Sequence, residues 1–380
     1  MIMINYDYII CGAGLAGVTA ARILAEKGMN VLMLEKLPHI GGSVYDSYDE
    51  SGILIHNYGP HIFHTNNKKV FNFLSRFTEW NGYSHKVEAK LETCNVPVPF
   101  NLKSIELVYG AEKTENLRTL VKEEFGTDTV SVMALVESKN EELSALGKFA
   151  FNNIFLYYTV KQWGKQPHEV DPKTTARVPV RLSYDDRYFT DEYQGLPLVS
   201  YTSMVEKMLD HENITVKLNE DALKRISLSD EKIYFDGEET DAKVVYTGET
   251  DRLFGFKYGH LPYRTLDFKF ETHNVDSYQS AATVNYTVSE DFTRITEFKK
   301  LTLQKKDGIT TVMKEYPRQY EGKDGEIPYY PVASDESREM YEKYIALADG
   351  YKNLILVGRL AEYKYYNMDA VVARAMELFE

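Results

Sequence analysis

The sequence predicts an α/β protein: a nucleotide-binding parallel sheet split into separated segments, with an inserted helical bundle and an antiparallel β-sheet domain. Three observations predict it. A glycine turn, "GAGLAG" at 12–17, sits between a strand pattern and a helix pattern. Apolar residues between about 102 and 164 recur at steps of three and four. "LDFKFET" (266–272) alternates apolar and charged residues with the period of a half-buried strand. On this reading 1–80 opens the nucleotide domain, and 102–180 forms the bundle with a loop. Segments 81–101, 181–200 and 260–335 build the antiparallel sheet, while 201–259 and 336–380 return to the nucleotide domain.

Composition sets the outer limits. At 380 residues the chain is long for a single core. Its net charge of −13 repels phosphates, which excludes a general nucleic-acid or acidic-membrane binder. An anionic ligand must therefore be captured by local arginines. Two cysteines, Cys11 and Cys94, make no disulfide framework and point to a reducing, cytoplasmic setting. "MIMINYDYIICGAG" lacks a basic leader and reads as a strand. No apolar run reaches the ~20 residues that insert across a membrane. The 29 tyrosines suit sites that stack rings and donate hydrogen bonds.

From Tyr6 to Lys36 the order is strand, glycine turn, helix, second strand, acid. Gly12 permits the tight turn, Gly14 lets backbone amides approach a pyrophosphate, and Gly17 allows close helix–strand packing. The helix then offers its N-terminal amides to the phosphates, and Glu35 lies where a carboxylate accepts from a ribose hydroxyl. "KLPHIGG" follows, and Gly41 and Gly42 extend the site in the manner of FAD-binding Rossmann-like folds. There is no second glycine motif and so no separate nicotinamide domain. His61 and His64 in "HNYGPHIFHT" have i,i+3 spacing but no third ligand, so no metal is expected. They are read as lining the flavin pocket or packing in the core.

Further along, Leu143, Leu146, Ala150, Ile154 and Tyr158 mark one helical face. Gly164, Pro167, Pro172 and Pro179 then break the helix into a long polar segment carrying Arg177. That segment reads either as a solvated connector or as a functional loop. Asp307-Gly308, between strand-like arms, signals a hairpin. "KNLILVGRLAEY" is a buried strand running into a loop, and 368–380 is a helix.

Several blocks are distinctive: "YGPHIFHT", "YTVKQWG", "RVPVRLSYDDRYFTDEYQGLP", "YTGETD", "YRTLDF", "TRITE", "KEYP", "YYPV" and "GRLAEYKYYNMD". In this order, over nearly the whole chain, they resemble the bacterial UDP-galactopyranose mutase family. The resemblance implies an FAD-dependent isomerase that interconverts UDP-galactopyranose and UDP-galactofuranose without net redox. Reduced FAD is the active form, its N5 attacking the anomeric carbon as UDP leaves to give a flavin–sugar adduct. It also implies an external reductant such as NAD(P)H, a homodimer, and a place in cell-surface polysaccharide synthesis.

Carried onto this sequence, Tyr158 and Trp163 resemble the uridine-binding aromatics. Arg177 and Arg294 resemble the diphosphate arginines, and Tyr188, Tyr316 and Tyr365 the tyrosines that bond to the diphosphate. Arg264 is similar to an arginine near the flavin and sugar. His64 resembles a histidine against the isoalloxazine, with His61 beside the cofactor; Arg359, Asn367 and Met368 border it too. Arg177, Arg294 and His64 are the implied catalytic residues. The chain departs from the family pattern at Asn367, usually aspartate and expected here to cap the last helix, and also at Pro60 and at Ser43-Val44. These departures keep mutases of UDP-N-acetylgalactosamine or dTDP-fucopyranose open as alternatives. An amine-oxidase-like flavin oxidase and a binding protein on an FAD-like scaffold are the rival classes.

Overall fold

The computed structural model describes residues 6–164, 179–323, 325–332 and 334–380. Arg177, Pro167 and Pro172 lie outside the described residues. Five parallel strands form the nucleotide-binding sheet, in the order Ile214–Leu218, Val31–Glu35, Tyr8–Cys11, Lys243–Tyr246, Leu354–Leu356. Its central strands are mostly apolar, as a sheet covered on both faces requires: all five residues of "VLMLE" are buried, with Glu35 the one charged residue among them. The helix Leu15–Glu26 covers one face, and the closing helix Met368–Phe379 lies against it. Ala16, Ala20 and Ile23 share a core there with Val372, Ala375 and Met376.

The second sheet has seven strands, in the order Tyr330–Pro331, Tyr263–His273, Thr310–Gln319, Arg294–Glu297, Thr283–Tyr286, Val87–Lys90, Asn95–Val98. Its pairs are antiparallel except Thr283–Tyr286 with Val87–Lys90, which runs parallel. Two details differ from the sequence reading. The stretch 181–200 contributes no strand to this sheet; Tyr193–Gly195 pairs instead with Phe63–Thr65 beside the nucleotide domain. The arm before Asp307-Gly308 is no strand either, since Phe298–Thr302 is a short helix and Thr310–Gln319 lies between Tyr263–His273 and Arg294–Glu297. The turn signal is local, whereas the choice of partner is set by the buried Ile295, Phe298 and Leu301.

The bundle sits on the far edge of this sheet. Its core joins Leu117, Val121, Leu135, Leu143, Leu146, Ala150 and Ile154 to Val96 and Val98 of the edge strand and Val87 and Ala89 of the strand next to it. Asn101 starts the first helix with a capping box to Ser104, and Asn140 caps Glu141–Ala150 by accepting from Glu142 and Leu143. That last helix continues through a π-helical segment, Phe151–Leu156, into Tyr157–Trp163. The predicted face therefore holds through Ile154 and then turns. Each π turn carries an extra residue, so Tyr158 leaves the core stripe and is only half-buried.

Candidate active site

The glycine turn is built by contacts that no other residue allows. Gly12 has φ +110, and a Cβ there would lie 2.2 Å from Thr247 Oγ1. A Cβ on Gly17 would lie 2.1 Å from the Gly12 carbonyl oxygen. Gly14 differs: a Cβ there would meet nothing within 4 Å. It is the N-cap of Leu15–Glu26, with no side-chain cap and no acid in the first turn. Open space thus faces unprotected amides at the positive end of a helix, which is the arrangement a pyrophosphate fits. Gly41 pairs with Gly14, its N–H donating to the Ala13 carbonyl at 2.8 Å. A Cβ on Gly42 would come within 3.0 Å of Gly14 Cα. Glu35, 5% exposed, accepts from Ala13 N–H at 2.7 Å and Leu37 N–H at 2.8 Å. It ties the turn to the second strand while keeping lone pairs for a ribose hydroxyl. These residues fit the nucleotide half of FAD.

A second cluster gathers around Arg294. In register on adjacent strands, Arg294 and Glu315 share one face of the sheet, and Nε donates to Oε1 at 2.6 Å. Glu315 is 1% exposed, whereas the arginine side chain keeps 24%. Burial works against the guanidinium charge, but Glu315 and the nearby Tyr158 and Tyr330 hold its pKa well above the ordinary value. Among the described residues, Nη1 and Nη2 of Arg294 make no hydrogen bond. Tyr188 lies close enough to feel this charge, and burial raises its pKa. Burial likewise pushes the Tyr330 hydroxyl up to about 12. Tyr330 and Tyr365 stack with centroids 6.0 Å apart, and Arg359 lies over both rings. Arg359 donates to the carbonyls of Tyr329 at 3.2 Å and Tyr366 at 2.7 Å, so its fork clamps the closing loop beside the site.

The histidines line one side. His61 donates from Nδ1 to the Gly59 carbonyl at 2.8 Å, and its backbone N–H donates to His56 Nδ1 at 3.0 Å. Burial lowers the pKa of both to about 3, so both rings are neutral at ordinary pH and His61 presents Nε2 as an acceptor. His64 donates from Nδ1 to Asp191 at 3.0 Å and stacks on Phe189 at 3.6 Å. Phe189 also lies along His85, whose Nδ1 meets the Tyr83 hydroxyl at 3.0 Å.

The structure thus brings Arg294, Tyr158, Tyr188, Tyr365, Arg359 and His61 together, and three expectations need correction. Tyr316 follows Glu315 on the same strand, so alternation turns it to the opposite face, against Phe292 and Lys269. Arg264 points to the end of Tyr157–Trp163 and donates to the carbonyls of Gln162 and Lys161. Asn367 occupies the N-cap position of Met368–Phe379, yet its side chain makes no capping bond. Instead Asp369, in the first turn, accepts from Thr65 Oγ1 at 2.8 Å, placing Met368 beside that strand. Sequence reasoning missed Tyr330, Glu315, Phe189 and His85. The "YYPV" block, with two adjacent tyrosines before a proline, was the available signal for Tyr330.

Comparison with known proteins gives a consistent result. A family model described as UDP-galactopyranose mutase matches residues 153–365, and one for an NAD(P)-binding Rossmann-like domain matches 10–77. The probable UDP-galactopyranose mutase of Klebsiella pneumoniae is 37% identical over 99% of this chain and 94% of its own length. The UDP-galactopyranose mutase of Mycoplasma genitalium is 38% identical over 97% and 92%. The dTDP-fucopyranose mutase of Escherichia coli is 34% identical over 97% and 96%. Among solved structures, a reduced UDP-galactopyranose mutase matches with TM-score 0.69 at 14% identity, over 99% of this chain and 93% of that one. A putrescine oxidase matches with TM-score 0.55 at 13% identity, over 99% and 98%, which shows the shared fold alone. With identities of this size running the length of both sequences, the chain belongs to the UDP-galactopyranose mutase family.

Proposed function

We propose that this chain is an FAD-dependent isomerase that interconverts the pyranose and furanose forms of a UDP-linked galactose. The observation that carries the reading is Arg294. It is a charged guanidinium, fixed by a buried carboxylate, with both Nη atoms unbonded among the described residues and tyrosines 158, 188, 330 and 365 gathered around it. Arginine forks bind phosphate oxygens bidentately. Held in place before the reaction, they stabilise the charge that grows as a diphosphate leaves. The same contacts keep the departed UDP beside the sugar for its return. Tyr158 and Trp163 offer faces to the uracil ring, and Arg177 supplies the second diphosphate arginine. The neutral His61 and the Asp191-bound His64 border the cofactor's reactive end, where His61 accepts hydrogen bonds at Nε2.

Reduced FAD, when bound, supplies the nucleophile for the anomeric carbon and so divides one hard rearrangement into easier steps. An external reductant such as NAD(P)H, a homodimeric assembly, a cytoplasmic location and a role in cell-surface polysaccharide synthesis complete the proposal. Among the described residues no helix is long and apolar enough to cross a membrane. A second reading, dTDP-fucopyranose isomerisation, is favoured by the similarly sized identity to the Escherichia coli relative. The deciding experiment is an anaerobic product assay with UDP-galactose, UDP-N-acetylgalactosamine and dTDP-fucose, with and without dithionite. Furanose formed from UDP-galactose only after reduction is the expected result. Flavin bleaching by the substrate without isomerisation would instead assign the chain to the oxidases.

A further inference from the structure

The helix Tyr157–Trp163 walls the site, yet none of its residues is buried. These residues end a helix that runs on from Glu141–Ala150 through the π segment Phe151–Leu156, so their helical form is inherited from the bundle. With no buried side chain of its own, this last stretch takes its orientation over the site from side chains that donate to backbone carbonyls. Lys161, on the helix, reaches the carbonyls of Tyr286 at 2.7 Å and Phe292 at 3.3 Å. Arg264, on the sheet, reaches back to those of Gln162 at 3.1 Å and Lys161 at 3.4 Å. Upstream, the Thr287 hydroxyl donates to the Asn153 carbonyl of the π segment at 2.5 Å.

The electrostatics favour this arrangement. Arg264 is 6% exposed and places its charge against the negative end of the helix, where carbonyls lack intrahelical partners. Gly164 leaves room for it, because a Cβ there would lie 2.7 Å from Arg264 Nη1. Burial lowers the pKa of Lys161, while Glu290 and Asp291 hold it up.

We propose that Lys161 and Arg264 are positioning residues for the nucleotide end of the substrate. They are two cationic pins that set the orientation of Tyr158 and Trp163 relative to Arg294, in place of an apolar interface. The proposal rests on the reading of this helix as the wall that receives uracil, and it adds what holds that wall. Neither residue is assigned a contact with substrate. A wall held by a few directed bonds loses its orientation when one is cut, even while the core beneath stays packed.

The test uses full-length, FAD-loaded protein in a Trp80→Phe background, where Trp163 is the only remaining tryptophan. Lys161→Met, Lys161→Arg, Arg264→Met and Arg264→Lys are compared with the parent. Flavin content, acrylamide quenching of Trp163, UDP affinity by calorimetry, kcat and KM are measured. The two Met variants are expected to keep their flavin and to show greater quenching. Their UDP Kd and KM should rise about tenfold or more, with kcat changing less. Lys161→Arg, which still donates to the two carbonyls, restores both quenching and affinity. Unchanged quenching and UDP affinity in both Met variants overturn the proposal. Loss of flavin or of the fold in both also overturns it, since the two residues are then merely structural. A parent protein that binds no UDP overturns the substrate reading, and the quenching comparison then decides the pins alone.

Discussion

Arg294 and Glu315 form an ion pair whose two members live in different surroundings, the carboxylate 1% exposed and the arginine side chain 24%. Removing Arg294 strands a charge in the core. Arg294→Ala is therefore expected to lose about 3–5 kcal/mol of stability along with activity. Replacing both residues by methionine should recover most of the stability and none of the activity. Urea unfolding and turnover measured on both variants separate the two effects, and equal stability losses in the single and double variants would refute the pairing. Tyr330→Phe is expected to lower turnover by roughly tenfold or more, by removing one donor from the Arg294 cluster. Tyr316→Phe, on the far face, should stay within about twofold; the reverse ranking in a steady-state assay would sink the assignment. The tyrosines also show what the sequence conveys. "KEYP" declares a strand residue beside a glutamate, and alternation forbids both from facing Arg294. Which one does so depends on strand register, which arises from pairing between segments and leaves no local trace. Arg264 was obscured for the same reason, because its partners are carbonyls about a hundred residues away.

At the scale of elements, the glycine turn was legible because every constraint on it is local. Its glycines nonetheless serve different ends, and a pair of substitutions separates them. Gly17→Ala drives a methyl into the Gly12 carbonyl and is expected to destabilise the fold and the flavin site together. Gly14→Ala meets no protein atom, so the fold should persist while flavin content falls. Absorbance spectra and thermal melts of the two variants check this, and full flavin occupancy in Gly14→Ala would remove the pyrophosphate from that turn. The long helical face was read as one surface because apolar spacing reports burial and not helix type. Residues 151–156 satisfy the spacing through Ile154 and then add their extra residue per turn. The change shows only where Tyr158 and Trp163 are needed elsewhere.

Across the whole molecule, the buried His56 and His85 and the half-buried His61 couple stability to pH. Burial lowers His56, His61 and His85 from the ordinary 6.5 to about 3, so each is neutral in the folded state. Between those values the unfolded chain binds protons that the folded chain refuses. Their contribution is therefore complete above about pH 6.5 and is lost as pH falls toward 3. Each costs up to ~1.4 kcal/mol per pH unit within the window. Asp46 and Asp251, raised by burial, act with the opposite sign nearer the carboxylate range. Thermal midpoints are expected to drop between pH 7 and pH 5, and His56→Gln should flatten that slope; an unaltered slope would argue against the neutral, buried state of this ring. The division into a nucleotide domain, a bundle and a second sheet could be read in sequence order because each part has its own periodicity. The seven-stranded order, and the crossing of Tyr193–Gly195 to Phe63–Thr65, could not.

The parallel sheet also sets a timetable for synthesis. Its first two strands leave the ribosome early, but the edge strand Leu354–Leu356 and the helix Met368–Phe379 that covers Leu15–Glu26 come more than three hundred residues later. At about 5–20 residues per second that interval is roughly 15–60 s. Tyr201–Leu209 covers part of the first helix midway, but the face that receives Met368–Phe379 stays open to non-native contacts until the chain is nearly complete.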